Sequence, residues 1–143
     1  MNDRPHVALV DSGFWYAVLT EKDEHHRDAR SKEEQLLSLR YILPWPTLYE
    51  TLRTRLTRRP LAVVKFQDYL KHPNAELLDD SLYKSLALEI TLSAANRRGR
   101  GFSLVDNVLR LILDDVNIKV DCLFTYNVAD FFDVCRRRRV EIV

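Results

Sequence analysis

Short apolar runs alternate with longer helical segments along this chain. The runs are Val7–Val10, 41–43, Ala75–Leu78, Cys122–Phe124 and a closing run at 140–143. Runs of this length, rich in Val, Ile and Leu and bounded by polar turn residues, predict strands that are buried on both faces, as in a parallel sheet. Helices between such strands predict an α/β class with helices on both faces of the sheet. We expect Val7–Val10 to lie in the sheet interior, with a strand on each side.

The segments between the runs carry helical patterns. Residues 14–19 are apolar almost all round, as in a helix buried against a sheet. A long polar helix is predicted over 25–39, and further helices over 47–56, 61–70, 82–96 and from Ser103 to Leu113. Leu48, Leu52 and Leu56 recur at four-residue spacing, which predicts that they form the buried stripe of the 47–56 helix.

Composition changes this picture little. The chain has 143 residues, 46% hydrophobic and 30% charged, so a single domain over 1–143 is expected. Its formal charge is +1, from 22 basic and 21 acidic residues, so no global field attracts nucleic acid. Any RNA site must therefore come from local clusters of charge.

Cellular location is predicted from what the chain lacks. Cys122 and Cys135 are the only cysteines, too few for a zinc site of cysteines, and no apolar stretch reaches the roughly 20 residues of a membrane span. Residues 1–6 contain no apolar signal region. The expectation is a cytoplasmic protein with both thiols reduced and no membrane contact.

Asp11 and Ser12 follow directly on the first apolar run. Ligands and metals bind at the carboxyl ends of strands in open α/β sheets, so an acid at this position is a candidate site residue. The alternative is that Asp11 or Ser12 only caps the helix that begins at Gly13 or Phe14. These residues by themselves leave both interpretations open, and capping is the commoner use.

Glu50 lies away from the leucine stripe of its predicted helix. Arg53 is its neighbour at i+3, so the helical wheel predicts a solvated acid that pairs weakly with this arginine.

Asp106 lies three residues after Ser103, which is the spacing of a capping box. Capping alone would explain it. The helix that follows is apolar through Leu113, however, and a buried helix would hold the acid beside the sheet rather than in open water.

The turn 125–127 follows the run Cys122–Phe124, with Asp130 just beyond. If both strands lie in one parallel sheet, they deliver Asp11 and this turn to the same edge.

Arginines cluster in the loop 97–100 and in the run 136–139. Either cluster can contact phosphates. The first also suits a helix C-terminus, and the second also suits a solvated loop. Arg98 and Arg100 are the candidate RNA contacts.

In this order, these motifs resemble the PIN domain, and above all the toxin ribonucleases of VapBC toxin–antitoxin pairs. The resemblance spans the whole chain. It is carried by Asp11-Ser12 after a strand, Glu50 after a Pro-containing turn, Ser103-x-x-Asp106 opening an apolar helix, and Thr125-x-Asn127-x-x-Asp130-Phe131 after a late strand.

The resemblance implies a PIN-like three-layer α/β/α sandwich with a mainly parallel central sheet. It implies that Asp11, Glu50 and Asp106 gather at the carboxyl edge and bind Mg²⁺ or Mn²⁺, hard cations that prefer carboxylate oxygens. Many members have a further Asp where this chain has Asn127. Asn127 is expected to orient water or phosphate at the catalytic site, with Ser12 and Thr125 as further contacts. Whether Asp130 supplies missing charge is left open.

The implied function is a metal-dependent endoribonuclease that hydrolyses RNA phosphodiester bonds, as the toxin of a toxin–antitoxin pair. The implied partners are the RNA substrate, a cognate antitoxin and a second copy in a homodimer. One alternative, favoured by Asn127, is a catalytically weak PIN-like module that binds RNA or protein. A receiver-type phosphoacceptor domain fits poorly, because the late strand has no lysine at its tip and Asp11 is not followed by a second acid.

Overall fold

A five-stranded sheet forms the centre of the computed structural model, which describes residues 6–94 and 101–143. The strands are β1 (Val7–Val10), β2 (Arg40–Pro44), β3 (Ala75–Leu78), β4 (Cys122–Phe124) and β5 (Glu141–Ile142). Their order is β3-β2-β1-β4-β5, and every pairing is parallel. The central position of β1, between β2 and β4, confirms the prediction for Val7–Val10 and the α/β class.

Helices cover both faces of this sheet. Within the described residues they are α1 (Ser12–Leu19), α2 (His26–Ser31), α3 (Glu33–Leu37), α4 (Trp45–Thr51), α5 (Thr54–Thr57), α6 (Pro60–Lys71), α7 (Lys84–Ala94), α8 (Leu104–Asp114) and α9 (Val128–Arg138). Helices α1 to α6 contribute to one apolar cluster and α7 to α9 to the other. The sheet therefore lies between two helical layers.

The central strand divides its side chains between the two clusters. Ala8 and Val10 belong to the cluster of α1 to α6, whereas Leu9 belongs to the cluster of α7 to α9. Successive side chains of a strand point to opposite faces, so a strand covered on both sides needs apolar residues at every position. This requirement explains why the run Val7–Val10 is apolar at every position.

The predicted polar helix over 25–39 is wrong as a single element. It is two short helices, α2 and α3, separated at Lys32, whose φ and ψ are −97° and −4°. The Ser31 hydroxyl donates to the Asp28 carbonyl at 2.6 Å. A side chain that bonds nearby backbone in this way competes with the helical ladder.

The predicted helix over 47–56 is also wrong as a single element. Helix α4 ends at Thr51, Arg53 is extended with ψ of 165°, and α5 begins at Thr54. Leu48 and Leu56 are buried as predicted, but Leu52 follows the end of α4 and is 38% exposed. Threonines flank the break, and β-branched side chains lower helix propensity.

The closing strand is shorter than the predicted run 140–143. Strand β5 spans Glu141–Ile142, and the Val143 N–H still donates to the Leu123 carbonyl at 2.9 Å. Cys122 and Cys135 are both buried free thiols. In the ranges 6–94 and 101–143, every helix is too short or too polar to cross a bilayer.

The strand order creates a crevice at the carboxyl ends of β1 and β4. The chain passes from β1 to β2 on one side, and β4 lies on the other, so the connections leave these two strands in opposite directions. Open α/β sheets bind ligands at such a switch point. The Asp11 N–H donates to the Phe124 carbonyl at 3.0 Å, which joins the two strand ends at the crevice.

Candidate active site

Asp11 lies at the carboxyl end of β1 and is only 6% exposed. Its Oδ1 accepts a hydrogen bond from the Ser12 N–H at 2.8 Å, so Asp11 is the N-cap of α1. Its Oδ2 accepts a hydrogen bond from the Thr125 hydroxyl at 2.9 Å, across the crevice. One carboxylate oxygen of Asp11 therefore caps the helix, as the commoner interpretation predicted, while the other meets the end of β4, so Asp11 does more than cap α1.

Glu50 lies on α4 and is joined to β1 through Ser12. The Ser12 hydroxyl donates to Glu50 Oε1 at 2.9 Å, while the Ser12 N–H is held by Asp11. Arg53 Nε donates instead to the Glu50 backbone carbonyl at 3.1 Å. The predicted pairing of the Glu50 carboxylate with Arg53 is thus wrong, and this acid turns towards the sheet edge.

Asp106 lies in the first turn of α8, where Ser103 is the N-cap. The Ser103 hydroxyl accepts a hydrogen bond from the Asp106 N–H at 3.1 Å. Burial, and then the negative charges of Asp11, Asp130 and Glu50, raise the pKa of Asp106 to about 6, against a smaller opposing effect of Ser103. An acid that only capped a solvated helix would not interact with three other carboxylates.

Asn127 and Asp130 complete this edge. The Thr125 hydroxyl accepts a hydrogen bond from the Asn127 N–H at 3.0 Å, and Asn127 Nδ2 donates to Asp130 Oδ2 at 2.6 Å. Asp130 therefore lies beside the other acids, where its charge raises the pKa of Asp106. The side-chain amide of Asn127 is therefore hydrogen-bonded to the carboxylate of Asp130.

The carboxylates of Asp11, Glu50 and Asp106 have no ion pair with Lys or Arg among the residues that the structure describes. Burial, more than the charge of Glu50, raises the pKa of Asp11, against the hydrogen bonds from Thr125 and Ser12. Clustered carboxylates without a cation suit a hard divalent ion, which prefers oxygen ligands. The chemistry of the donor set therefore fits Mg²⁺ or Mn²⁺.

The side chains are not arranged around one point in their present positions. Across 6–94 and 101–143, no three His, Cys, Asp or Glu side chains are close enough together to hold a metal ion. The oxygens of Asp11 and Glu50 accept hydrogen bonds from Ser12 and Thr125 instead. Arg98 and Arg100, the other candidate contacts, lie outside the described residues.

A cleft that the sequence did not predict opens beside Glu50 and Ser12. Its volume is about 250 Å³, and its lining includes Tyr16, His25, Arg53, Arg55 and Tyr126. The pattern identified Tyr16 as a core residue and gave no role to His25. The sequence did contain one signal for this cleft, because Arg53 and Arg55 follow closely after Glu50, a candidate metal ligand.

This all-parallel sheet with helices on both faces and acids at its switch point has the PIN-like α/β/α fold that the motifs implied. Among solved structures, the chain is similar to Mycobacterium tuberculosis VapC20, a sarcin-ricin loop cleaving toxin, with a TM-score of 0.67 and 18% sequence identity. The alignment covers 88% of this chain and 94% of that one. No family model and no curated protein sequence matches the chain. The similarity establishes a shared fold.

Proposed function

We propose that this protein is a metal-dependent endoribonuclease that acts as the toxin of a toxin–antitoxin pair. The observation that carries the proposal is that Ser12 joins Asp11 and Glu50 by hydrogen bonds at the carboxyl end of β1, close enough to Asp106 for both charges to raise its pKa. These acids come from separate parts of the chain: Asp11 follows β1, Glu50 lies on α4 and Asp106 lies on α8. Support also comes from VapC20, which has this fold and cleaves the sarcin-ricin loop.

Asp11, Glu50 and Asp106 would hold the Mg²⁺ or Mn²⁺ ion. When bound, such an ion activates water and neutralises charge on the phosphate that is attacked. Ser12 orients two of these acids, because its N–H bonds Asp11 and its hydroxyl bonds Glu50. Thr125 is 2% exposed, and its hydroxyl bonds both Asp11 and the Asn127 N–H, so we assign it a positioning role rather than contact with RNA.

Asn127 reduces the charge that the acids must share. An aspartate there would face Asp130 across the 2.6 Å that now separates Asn127 Nδ2 from Asp130 Oδ2. The carboxamide instead donates to Asp130 and holds it near Asp106. We propose that Asn127 positions Asp130 and orients water or phosphate at this edge, while Ser12, Arg98 and Arg100 contact the RNA.

The test of this function is cleavage of RNA by purified wild type and Asp106→Asn in Mn²⁺. Asn caps helices about as well as Asp, so the variant should fold. Cleavage should fall by roughly 100-fold or more, beyond the 10- to 100-fold that loss of an outer-shell partner costs. Asp114→Asn, at the other end of α8 where Asp114 pairs with Arg137 at 3.1 Å, is the matched control and should cut normally.

Two results would contradict this function. A fully active Asp106→Asn would remove the residue from the site. Wild type that binds RNA but does not cut it in Mn²⁺ would favour the alternative of a catalytically weak binding module. A calorimetric titration with Mn²⁺ measures metal binding independently of cleavage.

We also propose a homodimer that binds a cognate antitoxin segment. Helix α7 exposes Leu86, Leu88 and Leu92, at 50%, 48% and 64%, and the last two, four residues apart, lie on the same side of the helix. A second cleft of about 330 Å³, lined partly by Tyr49 and Leu104, adjoins Glu50 and fits an apolar segment that presents an Arg to the acids. Light scattering at micromolar concentration and co-purification from the native host test these partners. A monomer with no small companion protein would contradict them.

A further inference from the structure

The cleft beside Glu50, here called the side cleft, combines planar rings with free cationic groups. Ser12 and Glu50, which are joined by a hydrogen bond, both line it, so the cleft adjoins the candidate acids. Its chemistry can be read from three features: a ring pair, two arginines and one glycine.

The ring pair consists of His25 and Tyr126. Their centroids are 4.1 Å apart and their planes differ by 3°. Tyr126 also packs against buried Phe14, nearly parallel at 6.2 Å, and its hydroxyl donates to Asp28 at 2.7 Å. The backbone N–H of His25 donates to Asp23 Oδ1 at 2.8 Å, which anchors the main chain that carries this ring. The His25 side chain is still 43% exposed, so the pair is a fixed aromatic surface at the cleft.

The two cations are Arg53 and Arg55. Arg55 lies over the Tyr16 ring, 4.8 Å from its centroid, and Arg53 uses only Nε, on the Glu50 carbonyl. Neither guanidinium has a carboxylate within ion-pair distance in the part of the chain described. Guanidinium groups bind phosphate with paired N–H donors, so both side chains are available for an anion.

Gly13 leaves space in the same cleft. A Cβ added there would meet no atom within 4 Å beyond its chain neighbours and the backbone of its own helix, although the residue lines the cleft. A side chain at this position would therefore enter open space without displacing the fold. A large side chain at position 13 would therefore block the cleft, which tests whether a ligand enters it.

We propose that the side cleft binds one nucleotide of single-stranded RNA, next to the phosphate that lies over the acids. The base stacks on the His25–Tyr126 pair, and Arg53 and Arg55 bind the adjoining phosphate. This inference rests on the proposed function. An acidic peptide would also pair with the arginines, but its carboxylates offer no ring to stack on the aromatic surface, whereas every nucleobase has a planar face.

The test is fluorescence anisotropy of a labelled oligoadenylate of about 12 nucleotides, a length within the site sizes of single-strand binding folds. Full-length protein is used in EDTA, so that no cleavage occurs. Loss of one stacked base costs about 1–3 kcal/mol, so His25→Ala should weaken binding by roughly 5- to 150-fold. His25→Phe, which keeps a ring, should restore most of the affinity.

The arginine and glycine variants test the rest of the cleft. Arg55→Ala should lower the slope of log affinity against log salt by about 0.7, the value for one phosphate contact with a single strand. Gly13→Leu should weaken binding while its circular dichroism matches wild type. Lys119→Ala removes an exposed cation before β4, at the opposite edge of the sheet, and should leave the affinity and the slope unchanged.

Three outcomes would overturn the inference. Wild-type affinity in His25→Ala and Gly13→Leu would show that RNA does not enter the cleft, as would an equal loss in Lys119→Ala. Tight binding of a labelled glutamate-rich peptide that oligoadenylate cannot displace would assign the cleft to protein. The cleavage assay tests the proposed function separately. If the cleft variants lose RNA binding but wild type does not cleave RNA, the nuclease function is rejected and the RNA-binding cleft is retained.

Discussion

Asp106 shows how one residue serves a local and a distant interaction at once. Its backbone N–H is capped by Ser103, which is the local arrangement that the sequence predicted. Its carboxyl group interacts with Asp11, Asp130 and Glu50, and with burial this raises its pKa to about 6. The cap bonds the backbone N–H, which Asp106→Asn keeps, whereas the interaction with the other acids needs the charge, which Asp106→Asn removes.

The raised pKa of Asp106 predicts a pH-dependent stability. In EDTA the pKa of Asp106 is about 6 in the folded state, against the ordinary value of 3.8 in the unfolded state, so the folded state binds this proton more tightly between those two pH values. The free energy of unfolding should therefore fall as pH rises through that window. Asp106→Asn avoids this loss and should be more stable than wild type at neutral pH, on the order of 1–2 kcal/mol, with the difference vanishing at about pH 4. Urea unfolding across pH measures it.

Asp133 provides the control of opposite sign. Arg110 donates to both of its oxygens at 2.7 and 2.6 Å and lowers its pKa to about 2. Asp133→Asn should therefore be less stable than wild type at neutral pH. The difference in free energy of unfolding should disappear as the pH falls from the ordinary pKa of 3.8 to about 2. If both variants followed the same trend with pH, the charge cluster at Asp106 would be refuted.

Asn127→Asp should make the fold more dependent on metal. The new carboxylate would face Asp130 where Asn127 Nδ2 now donates at 2.6 Å, so the melting temperature in EDTA should fall. Mn²⁺ should raise it by more than in wild type, because an additional acid tightens binding. Asn117→Asp is the matched control, since Asn117 Nδ2 donates to Asp115 at 3.1 Å away from the crevice. Equal rescue of both variants by Mn²⁺ would remove Asn127 from the metal site.

At the scale of elements, breaks between helices decide which side chains meet. Residues two apart on a continuous helix point about 200° from each other. Arg53 is extended and Arg55 lies in α5, and both line the side cleft. The end of α4 at Thr51 thus makes possible a pair of cations that an unbroken helix over 47–56 would have separated.

The start of α8 gives a second prediction at this scale. Ser103→Ala removes the hydroxyl that accepts the Asp106 N–H, and loss of a Ser cap costs about 1 kcal/mol. It should also raise the pKa of Asp106 further, because Ser103 now lowers it. Urea unfolding and carboxyl titration by NMR measure the two effects. Ser93→Ala, at an exposed position in α7, should change neither. An unshifted titration of Asp106 would contradict the assigned contact.

At the scale of the whole molecule, the central strand β1 is buried between two neighbouring strands and two helical layers. Leu9 is fully buried on β1, opposite Ile42 and Leu123 of the flanking strands. Leu9→Ala should lower the free energy of unfolding by about 2–5 kcal/mol, through lost burial and a residual cavity. Leu82→Ala makes the same change at a side chain that is 85% exposed and should be nearly neutral. A small effect at Leu9 would contradict the central position of β1.

Much of this architecture follows from the sequence alone. A strand covered on both faces must be apolar at every position, so Val7–Val10 and Cys122–Phe124 were recognisable without any knowledge of their partners. Asp11 and Thr125 follow those strands directly, which placed them at the same edge. The helix breaks at Lys32 and after Thr51 were missed, because they depend on local side-chain bonds and on packing that a periodic pattern does not record.

Only the tertiary structure decided how the acids and the side cleft are assembled. The bond from Ser12 to Glu50 joins residues 38 positions apart, and that from Thr125 to Asp11 spans 114. Such contacts depend on the order of strands in the sheet, which adjacent residues do not encode. The wheel therefore assigned Glu50 to solvent, and His25 received no role until the fold brought it against Tyr126. Local pattern determined the elements and the acids that follow them, whereas parallel pairing around β1 determined which side chains face one another.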